Sequence, residues 1–92
     1  MKSYLIGYDL NMPRANDDYK DLIAEIKSLS NTWWHNLDST WIIKTDQTAE
    51  YIRDTLKPYL DSGDELLVAR LSGEGAWAGF KADGSSWLME NL

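Results

Sequence analysis

The residues best placed for chemistry are Tyr8 and Asp9, which close the first apolar run, SYLIGYDL, just before the loop NMPRAND. A carboxylate where a buried strand meets a loop can hold a divalent cation. Alone it holds Mg²⁺ weakly, because that ion keeps several waters and takes one or two carboxylates plus substrate phosphate. The competing reading has Asp9 cap the following loop or helix through amides between Asn11 and Asp17. Tyr8 can orient a phosphate, although its alternation with Tyr4 and Ile6 suits packing in a core or interface. Arg14, in the loop after Asp9, is the best-placed phosphate contact, with a solvated loop arginine as the alternative.

His35 is the only histidine, the residue type that serves as a general base near neutral pH. In a tryptophan-rich strand it reads as a packed or hydrogen-bonded structural residue. Ser39 follows it across a turn, and no orienting acid completes a triad with the two. Trp33 and Trp34 have faces that can stack on nucleobases. Such platforms sit among cations, and here the nearby one is Lys44, so both read as core or dimer packing. Asp61, Asp64 and Glu65 form an acidic turn without the spacing of a calcium loop.

These residues need elements to hold them. In the first run Tyr4, Ile6, Tyr8 and Leu10 share one face and Leu5, Gly7 and Asp9 the other, which suits a central strand. Gly7 leaves room on the Asp9 face. The segment 16–30 predicts a helix, with Asn16 or Asp17 as N-cap and Tyr19, Leu22, Ile23, Ile26 and Leu29 on its apolar face. The stretch TWWHNLDSTWIIKT predicts a hairpin with strands at 32–35 and 40–45. Thr45 or Asp46 should cap a second helix running to about Leu60, which Pro58 should kink or end early. After the turn DSGD, ELLVARL reads as a buried strand. In the tail, AWAGF suggests a short edge strand and the last residues a helical turn.

The order strand, helix, strand, strand, helix, strand predicts an α+β ferredoxin-like βαββαβ sandwich. It has a four-stranded antiparallel sheet, two helices on one face, and the short C-terminal edge strand. The chain reads as a single domain over 1–92, with a core at 3–71 and an extension at 72–92. The sheet face without helices is apolar at the hairpin, and pairing with a second copy would cover it.

At 92 residues the core is thin, partly compensated by five Trp and five Tyr. There is no cysteine, which removes disulfides and thiolate metal sites and suits a reducing compartment. The opening apolar stretch is too short for a signal peptide, and no run approaches the ~20 residues of a membrane span. A cytoplasmic protein is the expectation. Nine Lys and Arg against fifteen Asp and Glu leave a net charge of −6, the wrong sign for non-specific nucleic-acid binding.

The opening strand YLIGYDL, the closing strand ELLVARL and the element order resemble the smaller of the two core CRISPR-associated adaptation proteins and the VapD-like ribonucleases. The likeness covers about residues 3–71. The acidic charge and the tryptophan-rich hairpin place the chain with the short bacterial relatives of that group rather than with the CRISPR subunit. The resemblance implies a homodimer in which Asp9 meets its twin across the axis and binds Mg²⁺ or Mn²⁺ for phosphodiester hydrolysis in RNA or DNA. It matches Asp9 to the family's strand-end aspartate and Ser39 to a serine often carried by its hairpin. On this nuclease reading Asp9, Tyr8 and Ser39 are the catalytic positions, with Arg14 and Lys44 as nucleic-acid contacts. Two other functions fit the same residues. One is a non-catalytic dimeric scaffold that engages a protein through the tryptophan-rich hairpin, at Trp34 and Trp41. The other is an acidic inhibitor that occupies the groove of a nucleic-acid-binding partner.

Overall fold

The computed structural model describes residues 1–11 and 16–92, with the backbone alone for residues 16–19. Arg14 and the side chains of Asn16, Asp17 and Tyr19 therefore lie outside the described residues. The elements are β1 (Lys2–Asp9), α1 (Asn16–Ser28), β2 (Trp33–Leu37), β3 (Thr40–Thr45), α2 (Ala49–Leu56), a 3₁₀ turn (Lys57–Tyr59), β4 (Glu65–Arg70) and α3 (Ala82–Asn91). The fold is α+β, with one open four-stranded antiparallel sheet in the order β2-β3-β1-β4. Among the described residues, no helix is long and apolar enough to cross a membrane.

The alternation of β1 decides its place. It pairs with β3 on one side (Ile6 opposite Trp41) and with β4 on the other (Ile6 opposite Val68). Tyr4 and Ile6 point into a core completed by Trp41 and Ile43 of β3, Leu22 and Ile26 of α1, and Ile52 and Leu56 of α2. Both helices thus use their 3–4 spaced apolar stripes against the same sheet face. Tyr59 ties the end of α2 to α1, donating its hydroxyl to Glu25 Oε2 at 3.2 Å. That hydrogen bond and the carboxylate's charge raise the Tyr59 pKa above the usual phenol value.

The start of α2 differs from expectation. Thr48, not Thr45 or Asp46, is the N-cap, and its hydroxyl accepts the Tyr51 amide at 3.0 Å. Thr45 is buried at the end of β3, where its hydroxyl accepts the Gln47 amide at 3.2 Å. The hydroxyl that could have capped a helix is used to turn the chain instead. Pro58 does stop α2, in a 3₁₀ turn.

The acidic turn before β4 supports the end of β1. The Asp64 carboxylate accepts the amides of Asn11 and Asp61, each at 2.8 Å. Gly63 makes this possible with φ +89°, and a Cβ there would lie 2.7 Å from Asn11 Nδ2. A left-handed conformation costs a non-glycine residue ~1–2 kcal/mol. Gly63→Ala should lower stability by at least about 1 kcal/mol in urea denaturation, with the loop after Asp9 disturbed in the same variant.

The tail departs most from expectation. Residues 76–80 form no strand, and the last residues form a ten-residue helix rather than a turn. Gly79, at φ +86°, breaks the extended alternation that AWAGF suggested. The aromatics fold back on the sheet's second face instead. Trp34, Ile42 and Leu88 form a second core, with Trp77, Phe80 and Trp87 packed against it. Phe80 meets Trp34 edge to face at 5.0 Å. The indole nitrogens of Trp34, Trp77 and Trp87 donate to Gly84 O (3.2 Å), Ser85 Oγ (3.3 Å) and Thr32 Oγ1 (2.7 Å). The hairpin half of this face, expected to need a second copy as cover, is covered by the chain's own tail.

Candidate functional site

The end of β1 opens into a cleft of about 700 Å³. Tyr8 and Asp9 reach it from β1, Asp38 and Ser39 from the β2–β3 turn, and Lys20 and Lys27 from α1. The hairpin register creates the meeting, because the Tyr8 amide donates to the Ser39 carbonyl at 3.1 Å. Three residues singled out in the sequence, Tyr8, Asp9 and Ser39, therefore share one cavity.

Asp9 is exposed, and among the described residues no side-chain hydrogen bond or ion pair engages its carboxylate. The capping alternative gave it amides from Asn11 to Asp17; of these the Asn11 amide goes to Asp64, and residues 12–15 lie outside the described residues. Tyr8 is half-buried and oriented, since its hydroxyl oxygen accepts the Trp41 indole N–H at 3.2 Å. With that lone pair occupied, the phenol's own proton is the group it can offer to a ligand in the cleft.

Ser39 lines the cleft, and among the described residues no base is hydrogen-bonded to its hydroxyl. His35 Nε2 donates instead to the Asp38 carbonyl at 3.1 Å, and its ring lies flat on Trp41, 3.8 Å between centroids at 11°. A bulge in β2 sets this geometry. The pairing shifts between Trp34 and Leu37, so His35 and Asn36 together face the single position of Trp41. Such bulges re-aim side chains at sheet edges. His35 is held as a structural lid on Trp41, as the packed reading expects.

Lys44 is not brought to the site. It pairs with Ser3, at the far end of β1 from Asp9, roughly 20 Å away by strand rise. Its place near the tryptophans is taken by Lys27, whose Nζ lies 5.5 Å from the centroid of the Trp33 ring. Lys20 and Lys27 were not singled out from the sequence. The available signal was their spacing, seven residues apart and so on one side of a helix after two turns. Trp34 and Trp41, expected as the contacts of a protein-binding hairpin, are 4% and 1% exposed and belong to the cores. The exposed tryptophan of the hairpin is Trp33, at 39%.

Two carboxylates, two ammonium groups, a phenol and a hydroxyl around one open cavity suit a phosphate-bearing ligand. The described residues contain no group of three or more carboxylate or imidazole side chains able to hold a metal ion by themselves. Asp9 and Asp38 are the carboxylates that line the cleft, and Mg²⁺ takes one or two carboxylates where substrate phosphate completes its site. No family model matches the chain.

Proposed function

We propose that the chain is a ferredoxin-like relative of the CRISPR adaptation and VapD-like group, and that it cleaves phosphodiester bonds in RNA or DNA with Mg²⁺ or Mn²⁺ at Asp9. The observation that carries this reading is the convergence of Asp9, Asp38, Tyr8 and Ser39 with Lys20 and Lys27 on one cleft. The strand order β2-β3-β1-β4, with α1 and α2 on one face, supports the ferredoxin-like description.

Each residue has a distinct task. Lys20 and Lys27 attract the phosphodiester and offset its charge on a protein whose net charge is −6. The Tyr8 hydroxyl, aimed by Trp41, donates to a non-bridging phosphate oxygen. Asp9 would hold the cation, with a second carboxylate from Asp38 or from the Asp9 of a second copy. When bound, the cation supplies Lewis acidity that stabilises charge developing on the phosphoryl and leaving oxygens. Ser39 contributes a hydrogen bond at the rim rather than a nucleophile, since among the described residues no base is hydrogen-bonded to its hydroxyl.

A homodimer is part of this reading. What supports it is the half of the second sheet face that the tail leaves open. Leu67 is 61% exposed there, and β4 is an edge strand with β1 as its partner.

The test is cleavage of short single-stranded RNA and DNA by the purified chain with Mg²⁺ or Mn²⁺. Cleavage should be abolished by EDTA and restored by excess metal. Absence of cleavage with both metals and both substrates overturns the catalytic reading.

A further inference from the structure

A second cavity, of about 340 Å³, lies at the free edge of β2 beside its bulge. Trp33, His35 and Trp87 line it, with Asn36 and Asp83 among its polar groups. Lys27 lines both this cavity and the Asp9 cleft, so the two are joined at one ammonium group. We propose that the bulge cavity is a base subsite, taking the unpaired heterocycle of a nucleotide whose phosphate lies at Lys27 and in the adjoining cleft. This rests on reading the cleft as a phosphodiester site.

Trp33 carries the argument. The other four tryptophans, Trp34, Trp41, Trp77 and Trp87, each donate the indole N–H to a protein acceptor. Trp33 has no such acceptor among the described residues and keeps 39% of its surface exposed. Its neighbours in sequence show what the fold requires: Trp34 is buried and His35 is fixed on Trp41. Among the described residues, Trp33 is thus the one indole that the cores and the hydrogen-bond network do not consume. Lys27 over its face adds the positive charge that aromatic platforms for single strands carry.

The cavity also selects the form of ligand. It lies at the lower end of the size range of small-molecule sites, enough for one heterocycle. A base must leave its duplex partner and its stacked neighbour to enter it, so the ligand is single-stranded. The acidic surface works against long backbones, whose affinity depends on many cations. A site that draws affinity from stacking as well as from two lysines suits a short, unpaired segment.

The test uses the full chain and ¹H–¹⁵N spectra of its indole groups, with the Trp33 signal assigned by Trp33→Phe. Adenosine monophosphate should move the Trp33 indole signal saturably, and inorganic phosphate at the same concentration should not. A labelled single-stranded hexanucleotide should lose roughly tenfold or more in affinity with Trp33→Leu, at an unchanged melting temperature. Lys27→Gln should weaken the hexanucleotide and the mononucleotide together. Wild-type affinity in Trp33→Leu, an unmoved Trp33 signal, or tighter binding of the matching duplex overturns the subsite. If Trp33 stays silent while metal-dependent cleavage persists, the subsite fails and the cleft reading stands. If Trp33 responds but no metal supports cleavage, the subsite stands and the catalytic reading fails.

Discussion

Asp9→Ala should lower metal-dependent phosphodiester cleavage by about 100-fold or more, while the thermal unfolding midpoint stays where it is. The activity loss follows from the proposed role of the carboxylate as cation anchor. A bound cation contributes several kcal/mol to charge stabilisation in the transition state, and each 1.36 kcal/mol is about tenfold in rate. The stability expectation follows from geometry. The side chain is exposed, engages none of the described residues, and ends its strand, so its removal should cost within about 0.5 kcal/mol. Asp9→Asn separates charge from shape and should be nearly as inactive. Asp38→Ala decides where the second carboxylate comes from. A loss of about tenfold or more assigns the role to Asp38 in the same chain. Full activity assigns it to Asp9 of a second copy, and mixtures of wild-type and Asp9→Ala chains should then fall below simple dilution. A cleaving Asp9→Ala protein at wild-type rate removes the metal anchor from the proposal.

Trp41→Ala should be the most destabilising single change in the hairpin. Trp41 is 1% exposed and packs within the main core, and His35 rests on its ring at 3.8 Å. Truncating a buried tryptophan costs ~3–5 kcal/mol, set against total stabilities of ~5–15 kcal/mol for domains. At this chain length the melting temperature should fall by about 15–30 °C, measured by circular dichroism. The same change removes the donor that orients the Tyr8 hydroxyl, so the core and the cleft fail together. Trp41→Phe separates the two effects. It keeps most of the volume and loses the indole N–H, so it should cost about 1 kcal/mol of stability while cleavage falls further than that loss explains. A Trp41→Ala protein as stable as the wild type would show that the hairpin does not pack on α1 and α2 in this way.

Much of the frame is legible along the chain. The alternation of Tyr4, Ile6 and Tyr8 identifies a central strand, and the 3–4 spacing of Leu22, Ile26, Ile52 and Leu56 identifies two helices with one buried stripe each. Pro58 marks the end of the second helix. These are local signals, because burial on one side of a strand or helix imposes its period on the residues of that element alone. The tail is the counterexample. Glycine-spaced aromatics suggest an edge strand, but Trp77 and Phe80 answer a demand made by residues far away in sequence. The apolar face around Trp34 and Ile42 needs cover, and no periodicity within the tail records that need.

The site divides in the same way. Sequence alone marks Tyr8 and Asp9, since a polar pair ending an apolar strand stands out locally, and it determines the acidic charge, the absence of cysteine and the βαββαβ order. Only the tertiary structure sets Asp38 and Ser39 beside them, through the register of the hairpin against β1. Only the tertiary structure brings Lys20 and Lys27, rather than Lys44, to the cleft, and leaves Trp33 outside both cores while Trp34 and Trp41 enter them. The physical reason is that pairing register and helix docking are chosen by the sum of contacts across the whole chain. A residue's neighbours in a cleft are therefore a global outcome, even when its secondary structure is a local one.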